Sequence, residues 1–261
     1  MADSALVTLT TDFGEGSAYV AAMKGAILFV SPAVRILDLC HRIPPQDLVS
    51  AAYFLADALP IFPAHTIHVV VVDPGVGTSR HLLCVLWNDQ YLLVPDNGCW
   101  SRLEALATTP VRAYRLTNDK YWRKPVSATF HGRDILAPAA GHLANGVSPA
   151  DLGTPTESWV RLALPEPAHS AGLIRGEIVV VDSFGNLISN VSASAGDGIR
   201  GVRIAGQSVA KFVRTYGEGE PGEVVALIGS GGRVEVAVVN GSAARILGLG
   251  VGTPIEIVLE T

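Results

Sequence analysis

The segment 67–72, Ile-His-Val-Val-Val-Val, constrains the fold of this chain more than any other part of its sequence. A β-branched run of this density predicts a strand buried on both faces, as in the parallel sheet of an α/β domain. Asp73-Pro74-Gly75 follows directly, and Arg80 comes a few residues later. Because α/β folds bind ligands where the chain leaves the carboxyl ends of strands, Asp73 and Arg80 are candidates for a polar site. The alternative is a tight loop in which the two residues form a structural ion pair.

Strand and helix signals alternate through the first part of the chain. The predicted strands are Leu6–Thr10, Val34–Leu39 and Ile67–Val72, followed by a hairpin of Leu82–Leu86 and Tyr91–Val94. The predicted helices are Ser17–Val30, Leu48–Ala58 and Leu136–Ala144. This alternation predicts an α/β N-terminal domain, residues 1–165, with a mostly parallel central sheet.

The character of the sequence changes near Leu162–Gly172. The segment 164–172 has the Pro/Gly composition of a linker. Beyond it the predicted elements are short strands separated by turn residues: Gly176–Val181, Ile199–Ile204, Glu223–Ile228, Val234–Val239 and Pro254–Leu259. We therefore expect a smaller all-β C-terminal domain over residues 172–261, a small barrel or a sandwich.

Composition and charge narrow the class of protein. The net charge is −5 and no Lys/Arg cluster is present, which argues against nucleic acid or an anionic membrane as a partner. The N-terminus lacks the pattern of a signal peptide, and no apolar run approaches the roughly 20 residues of a membrane span. The three cysteines have no metal-type spacing and are odd in number, so we expect free thiols in a reducing cytoplasm. The composition indicates a cytoplasmic protein.

Three strands end in an aspartate that a glycine closely follows: Asp12 before Gly14, Asp73 before Gly75, and Asp182 before Gly185. A carboxylate in this position can accept hydrogen bonds from vicinal hydroxyls or from an ammonium group. The structural alternative is a turn in which the aspartate caps its own backbone. Three occurrences, spread over both predicted domains, favour a polar ligand.

His131 stands apart from the other histidines, because Arg133 and Asp134 lie beside it in Phe130-His131-Gly132-Arg133-Asp134. Most of the others, at positions 41, 65, 68, 81, 142 and 169, are expected to be surface or capping residues. An Asp–Arg–His set can activate a water: His orients or deprotonates it, Asp accepts its hydrogen bond, and Arg keeps the carboxylate ionised. The glycine-rich segment 229–232 lacks a P-loop lysine, so oxygen attack at carbon is favoured over phosphoryl transfer.

Taken in order, these motifs resemble the S-adenosyl-L-methionine hydrolases that form adenosine, also called the SAM hydroxide adenosyltransferase family, which is related to the SAM-dependent fluorinase and chlorinase. The resemblance covers nearly the whole chain. The matching segments are Thr10–Gly14 with the following Tyr19-Val20 and Lys24-Gly25, Phe62-Pro63, Val71–Gly77, Pro95–Gly98, Thr129–Asp134, Asp182–Asn186 and Asn240–Ala243. The family fold is an α/β domain joined to a β-barrel. The resemblance implies that water attacks the ribose C5′ of S-adenosyl-L-methionine, which is the substrate, with no cofactor and no metal.

The resemblance also implies roles for individual residues. The water-activating triad matches Asp73, Arg80 and His131. The implied substrate-binding residues are Asp12 for the ribose, Phe130 near the reacting carbon, Phe184 and Asn186 for adenine, and Asp182 and Ser230 for the methionine end. The halogenating relatives lack the triad and use a small hydroxyl residue where this chain has Gly132.

The family resemblance further implies a homotrimer in which each substrate lies between the N-terminal domain of one subunit and the C-terminal domain of its neighbour. Two departures affect the packing of the substrate. Ser17 stands where many members carry a second aspartate, and Gln46 stands where the halogenases have an aromatic residue. Two other functions remain open: a non-catalytic protein that binds or senses an adenosyl ligand, and a nucleoside hydrolase that would release free adenine.

Overall fold

The computed structural model describes residues 4–192 and 198–260, which divide into two compact units, one up to Leu162 and one from Ala163 onward. The division places an α/β unit before an all-β unit, so the predicted fold class is confirmed. The domain limits at 165 and 172 remain predictions.

Seven of the described strands form the sheet of the first unit, in the order β2-β1-β3-β5-β4-β6-β7. Their bounds are β1 Leu6–Thr11, β2 Arg35–Cys40, β3 Ile67–Val71, β4 Leu82–Trp87, β5 Gln90–Pro95, β6 Arg112–Arg115 and β7 Thr154–Thr156. Strands β2, β1, β3 and β5 pair in parallel, whereas β4, β6 and β7 pair antiparallel. The parallel half contains the strands that end at two of the candidate aspartates.

The helices of the first unit are α1 Ala18–Val30, α2 Leu48–Ala58, α3 Ser101–Glu104, α4 Ala137–Ala144 and α5 Pro149–Leu152. Helix α1 begins at Ser17, whose hydroxyl accepts the N–H of Tyr19, and α2 begins at Asp47, whose carboxylate accepts the N–H of Ser50. Both residues are of types that satisfy the free N–H groups of a first turn. A π-helical turn, Gly132–Leu136, leads directly into α4.

Strand β3 is buried on both faces, as its sequence predicts. Val69 and Val71 pack with α1 and α4 in one apolar cluster, while Val70 and the following Val72 pack with α2 in another. Burying side chains of this size stabilises the fold by about 1.5–3 kcal/mol each. The two clusters make β3 the centre of a three-layer unit, and they fix the direction in which the chain leaves it at Asp73.

The strands of the second unit are β8 Ala168–Ser170, β9 Leu173–Val181, β10 Leu187–Ser192, β11 Ile199–Ile204, β12 Gln207–Val209, β13 Lys211–Phe212, β14 Val224–Ile228, β15 Arg233–Val238 and β16 Pro254–Leu259, with a short helix α6 at Ala243–Leu247. They follow the order β12-β11-β16-β9-β10-β15-β14-β13, with β8 on β9. Strands β11 and β12 also lie near β13 and β14, so the sheet curls almost into a closed barrel around its own apolar core.

The segment predicted to be a linker contains strand β8, which forms a hairpin with β9. The prediction of an irregular segment is therefore wrong for residues 168–170. The Pro/Gly composition of the segment is compatible with a three-residue edge strand, which needs little intrinsic strand preference because it pairs on one side only.

Candidate active site

Asp73 and Arg80 form a buried ion pair at the carboxyl end of β3. The Nε of Arg80 donates to both Asp73 oxygens at 3.1 Å, and the side chains are only 10% and 5% exposed for Arg80 and Asp73 respectively. The intervening loop turns back through hydrogen bonds from Val76 N–H to Asp73 O and from Thr78 N–H to Gly75 O. This turn brings Arg80 back to the carboxyl end of β3.

His131 completes a set with this pair. The Nη2 of Arg80 lies 2.9 Å from His131 Nδ1, across 51 residues of sequence. Because a guanidinium only donates, Nδ1 must accept, and the ring proton of neutral His131 is therefore assigned to Nε2. The three residues predicted as the catalytic set thus lie together. Their catalytic roles remain predictions.

The charge state of His131 follows from its surroundings. Burial lowers the pKa of His131, and the neighbouring Arg80 lowers it further, while Asp73 and Asp134 oppose the shift. The ring is therefore neutral at pH 7 and presents an Nε2–H group. A ring in this state can orient a water by donating to it, and it cannot take a proton at Nε2. Of the two roles open to a histidine in such a set, the geometry favours orientation.

An aromatic group lies beside His131. The ring centroids of Phe13, Tyr19 and Phe130 are 5.2–5.9 Å apart, with the Tyr19 and Phe130 rings nearly perpendicular. The Arg133 guanidinium lies 4.9 Å from the centroid of Phe130. Phe130 was predicted as a site residue, whereas Phe13 was missed. The signal that could have found it is its position next to Asp12.

Asp12 follows β1 at the same edge of the sheet at which Asp73 follows β3. The two strands are parallel neighbours with Thr11 opposite Val71, so both aspartates follow at this edge. The Oδ2 of Asp12 accepts the backbone N–H of Gln46 at 2.8 Å. Gln46 has a φ of 64°, in the left-handed region.

The remaining predicted residues belong to the second unit. The Oδ1 of Asp182 accepts the N–H groups of Phe184 and Asn186 at 2.9 and 2.8 Å, and Oδ2 accepts the Asn186 amide at 2.9 Å. The structural alternative, an aspartate that caps its own turn, is therefore present at Asp182. Phe184 is 76% exposed, Asn186 is buried, and Ser230 is exposed in the turn between β14 and β15.

Sequence reasoning missed two residues near Asp182. Glu235 is 5% exposed, and the hydroxyl of Tyr216 donates to its Oε1. Burial raises the pKa of the Glu235 carboxyl and Asp182 raises it further, against the effects of Tyr216 and Arg233. The available signal was a glutamate within the otherwise apolar stretch from Val234 to Val239.

The described residues can also be compared with the patterns of a metal site and of a membrane-spanning helix. Within residues 4–192 and 198–260, no group of three or more His, Cys, Asp or Glu residues is arranged to hold a metal. No helix in the described part of the chain has the length and apolarity to cross a membrane. The cysteines are free, with Cys84 and Cys99 buried and Cys40 half-buried, and burial raises the pKa of Cys84 to about 12.

Comparison with known proteins matches both units to one family. The N-terminal domain of the SAM hydroxide adenosyltransferases matches residues 7–153, and the C-terminal domain matches residues 176–256. A protein from Salinispora tropica named (R)-S-adenosyl-L-methionine hydrolase is 38% identical, over 98% of this chain and 99% of its own. A relative of the same name from Thermus thermophilus is 41% identical, over 96% and 98% of the two chains.

More distant relatives and solved structures agree with this match. A fluorinase from an Actinoplanes species is 26% identical over 71% of each chain. The solved structure of an uncharacterised conserved protein from Thermotoga maritima superposes with a TM-score of 0.90 at 32% identity, over 97% of this chain and 99% of that one.

Proposed function

The chain belongs to the SAM hydroxide adenosyltransferase family, and we propose that it hydrolyses S-adenosyl-L-methionine to adenosine and L-methionine. The observation that carries the proposal is the assembly of Asp73, Arg80 and His131 at the carboxyl end of β3. A protein that only binds an adenosyl ligand has no use for this set. Full-length relatives named as hydrolases of this substrate support the same reaction.

In the proposed step, a water oxygen forms a bond to C5′ while the bond from C5′ to the sulfonium breaks. The electron pair of that bond passes to sulfur, which leaves as the neutral thioether of methionine, and the water gives up one proton to solvent. His131 donates Nε2–H to the water, and Asp73 accepts from it with an oxygen lone pair that Arg80 leaves open. The protein contributes alignment and exclusion of competing water, worth about 7–11 kcal/mol when the geometry is good.

We extend to this chain the stereochemistry in the names of its relatives, so that the substrate is the (R) sulfonium epimer. A sulfonium is both a cation and a pyramidal stereocentre. The aromatic group of Phe13, Tyr19 and Phe130 provides ring faces that attract a cation, by about 0.5–2 kcal/mol.

We also propose that the protein is a cytoplasmic homotrimer and that it needs no cofactor. The sulfonium is an excellent leaving group without assistance, so a metal has no task in its departure. Size-exclusion chromatography with light scattering should give three times the mass of the chain. Turnover should be unchanged after treatment with a chelator.

The direct test is to incubate the purified protein with (S)- and with epimerised S-adenosyl-L-methionine, with and without chloride or fluoride, and to separate the products. Adenosine and methionine in equal amounts, formed from the (R) epimer, indifferent to halide and absent with His131→Ala, would establish the hydrolase. Halogenated adenosine would overturn water as the nucleophile. Free adenine would indicate a nucleoside hydrolase, and tight binding without product would indicate a binding protein.

The packing around Gly132 is the structural reason to expect that halide does not replace water as the nucleophile. A Cβ atom at Gly132 would lie 3.1 Å from a Val71 methyl carbon and 3.4 Å from Met23 Sδ. The packing around Gly132 therefore leaves little room for the small hydroxyl residue that the resemblance implies for halide binding. This is consistent with water as the nucleophile.

A further inference from the structure

The loops that follow β1 and β2 are tied together on both sides of Asp12. The N–H of Gly14 donates to His41 O at 2.7 Å, and the N–H of Gln46 donates to Asp12 Oδ2 at 2.8 Å. Asp12 is therefore not held by its own loop alone. Its carboxylate takes its position from the loop of the neighbouring strand.

His41, in the loop after β2, has a side chain that is only 8% exposed. Its Nδ1 is 2.9 Å from Thr11 Oγ1, and its Nε2 is 3.0 Å from Asp38 Oδ1 in a contact that departs from linear hydrogen-bond geometry. The other oxygen of Asp38 accepts from Lys24 Nζ at 2.5 Å. We call this chain of contacts, Lys24 to Asp38 to His41 to Thr11, the Thr11–His41 relay.

The relay has a defined direction. The N–H of Phe13 donates to Thr11 Oγ1 at 3.2 Å. Because the Asp38 carboxylate only accepts, the ring proton of His41 is assigned to Nε2, facing Asp38, and Nδ1 accepts the Thr11 hydroxyl. Burial acts to raise the pKa of Asp38, but hydrogen bonds from Lys24 and His41 outweigh it, and the pKa is lowered. A charged Asp38 therefore fixes the ring, the ring fixes Thr11, and the backbone carbonyl of His41 fixes Gly14 on the other side of Asp12.

We infer that His41 is a positioning residue for ribose binding: through Thr11 and Gly14 it holds Asp12 where the carboxylate accepts the ribose hydroxyls. The inference rests on the proposed function, which assigns the ribose to Asp12. His41 itself touches no substrate. Carboxylate–hydroxyl hydrogen bonds require placement within a fraction of an ångström, and buried polar groups behind a binding residue provide that placement.

The sharpest test removes the Thr11 hydroxyl and keeps its shape, with Thr11→Val. The matched control is Thr8→Val. Thr8 lies in the same strand, is equally buried, and has its Oγ1 2.7 Å from Nδ1 of another buried histidine, His68. Both variants lose one buried Thr–His hydrogen bond. Thr11→Val also loses the hydrogen bond from Phe13 N–H, and only Thr11 adjoins Asp12. A third variant, Thr11→Ser, restores the hydroxyl.

The probes are adenosine and 2′,3′-dideoxyadenosine, whose dissociation constants are measured by calorimetry. We expect the wild type to prefer adenosine, and Thr11→Val to lose about tenfold in adenosine affinity with no change for the dideoxy nucleoside. KM for S-adenosyl-L-methionine should rise by a similar factor, while kcat stays within about twofold. Thr8→Val and Thr11→Ser should keep the wild-type preference for adenosine.

Several results would overturn the inference. Equal loss of discrimination in Thr8→Val and Thr11→Val would show a general effect of stability. Failure of Thr11→Ser to restore binding, or a fall in kcat at constant KM, would exclude positioning through the hydroxyl. If the wild type does not distinguish the two nucleosides, Asp12 does not hold the ribose and the inference falls. If the wild type discriminates as expected but forms no adenosine, the hydrolase proposal fails and the positioning role stands.

Discussion

Replacement of Arg80 by alanine tests whether the Asp73–Arg80 pair is as costly to break as its burial implies. Arg80 makes three contacts to the Asp73 carboxylate and a fourth to His131. In Arg80→Ala the carboxylate of Asp73, whose side chain is 5% exposed, loses its partner. Removal of one member of a buried pair destabilises a protein by about 3–5 kcal/mol, which corresponds to a fall of roughly 10 °C in melting temperature.

A matched control separates burial from geometry. Arg161 binds Glu104 with the same bidentate arrangement, at 3.1, 3.0 and 2.7 Å, but the Arg161 side chain is 59% exposed. The Glu104 side chain is 18% exposed, more than Asp73, and solvent screens the exposed Arg161, so Arg161→Ala should cost less than Arg80→Ala, about 1 kcal/mol. Thermal unfolding of both variants, followed by circular dichroism, measures the difference. If Arg80→Ala costs no more than Arg161→Ala, the reasoning from burial is refuted.

A second substitution distinguishes the stability effect from the catalytic one. In the double variant Asp73→Asn/Arg80→Ala the remaining side chain carries no charge, so at least half of the lost stability should return. Turnover should not return, since neither the carboxylate nor the donor that fixes the His131 ring is present. We expect adenosine release to fall at least about a hundredfold in both variants. Recovery of turnover together with stability would show that the pair is structural only.

Three further predictions follow from the site and its turns. Because the pKa of His131 is lowered from 6.5, kcat/KM should stay constant as the pH falls through 6.5 and should decline only at lower pH. The folded state should also lose stability as the pH falls below 6.5, since His131 of the unfolded chain binds its proton first. Asp182→Asn should cost about 1–3 kcal/mol in urea unfolding, because both Asp182 oxygens accept N–H groups and the amide nitrogen that replaces one of them cannot accept. Gly185→Ala should lower the melting temperature more than Gly146→Ala. Both glycines have φ near +85°, but only at Gly185 would a Cβ meet Ser242 Oγ, at 2.0 Å. Equal effects of the two substitutions would refute the role of that contact.

Most of the first unit could be predicted because its signals are local. The β-branched segment 67–72 gave a strand with two buried faces, and Ser17 and Asp47 mark the starts of helices that the structure contains. The short antiparallel strands β6 and β7 were missed. They are four and three residues long, and they pair at the edge of the sheet, where tertiary contacts outweigh local preference.

The histidines show where local reasoning stops. Four of the six treated as surface or capping residues are exposed or half-buried, but His41 and His68 are 8% and 1% exposed. Each is buried because a threonine hydroxyl of β1 lies opposite one ring nitrogen. These partners lie 30 and 60 residues away, a pairing that only the sheet register creates. The meeting of Arg80 with His131 is of the same kind, and only the family resemblance indicated it.

The π-helical turn Gly132–Leu136 lets the packing of α4 and the orientation of His131 be set independently of each other. Downstream, α4 packs closely on α1, since a Cβ at Gly141 would lie 2.7 Å from Val30 Cβ. Upstream, His131 must face Arg80. The π turn, closed by Ala137 N–H on Gly132 O, holds one residue more than an α-helical turn. Deletion of a single residue there would swing His131 about 100° around the helix axis and leave the buried face of α4 in phase with α1.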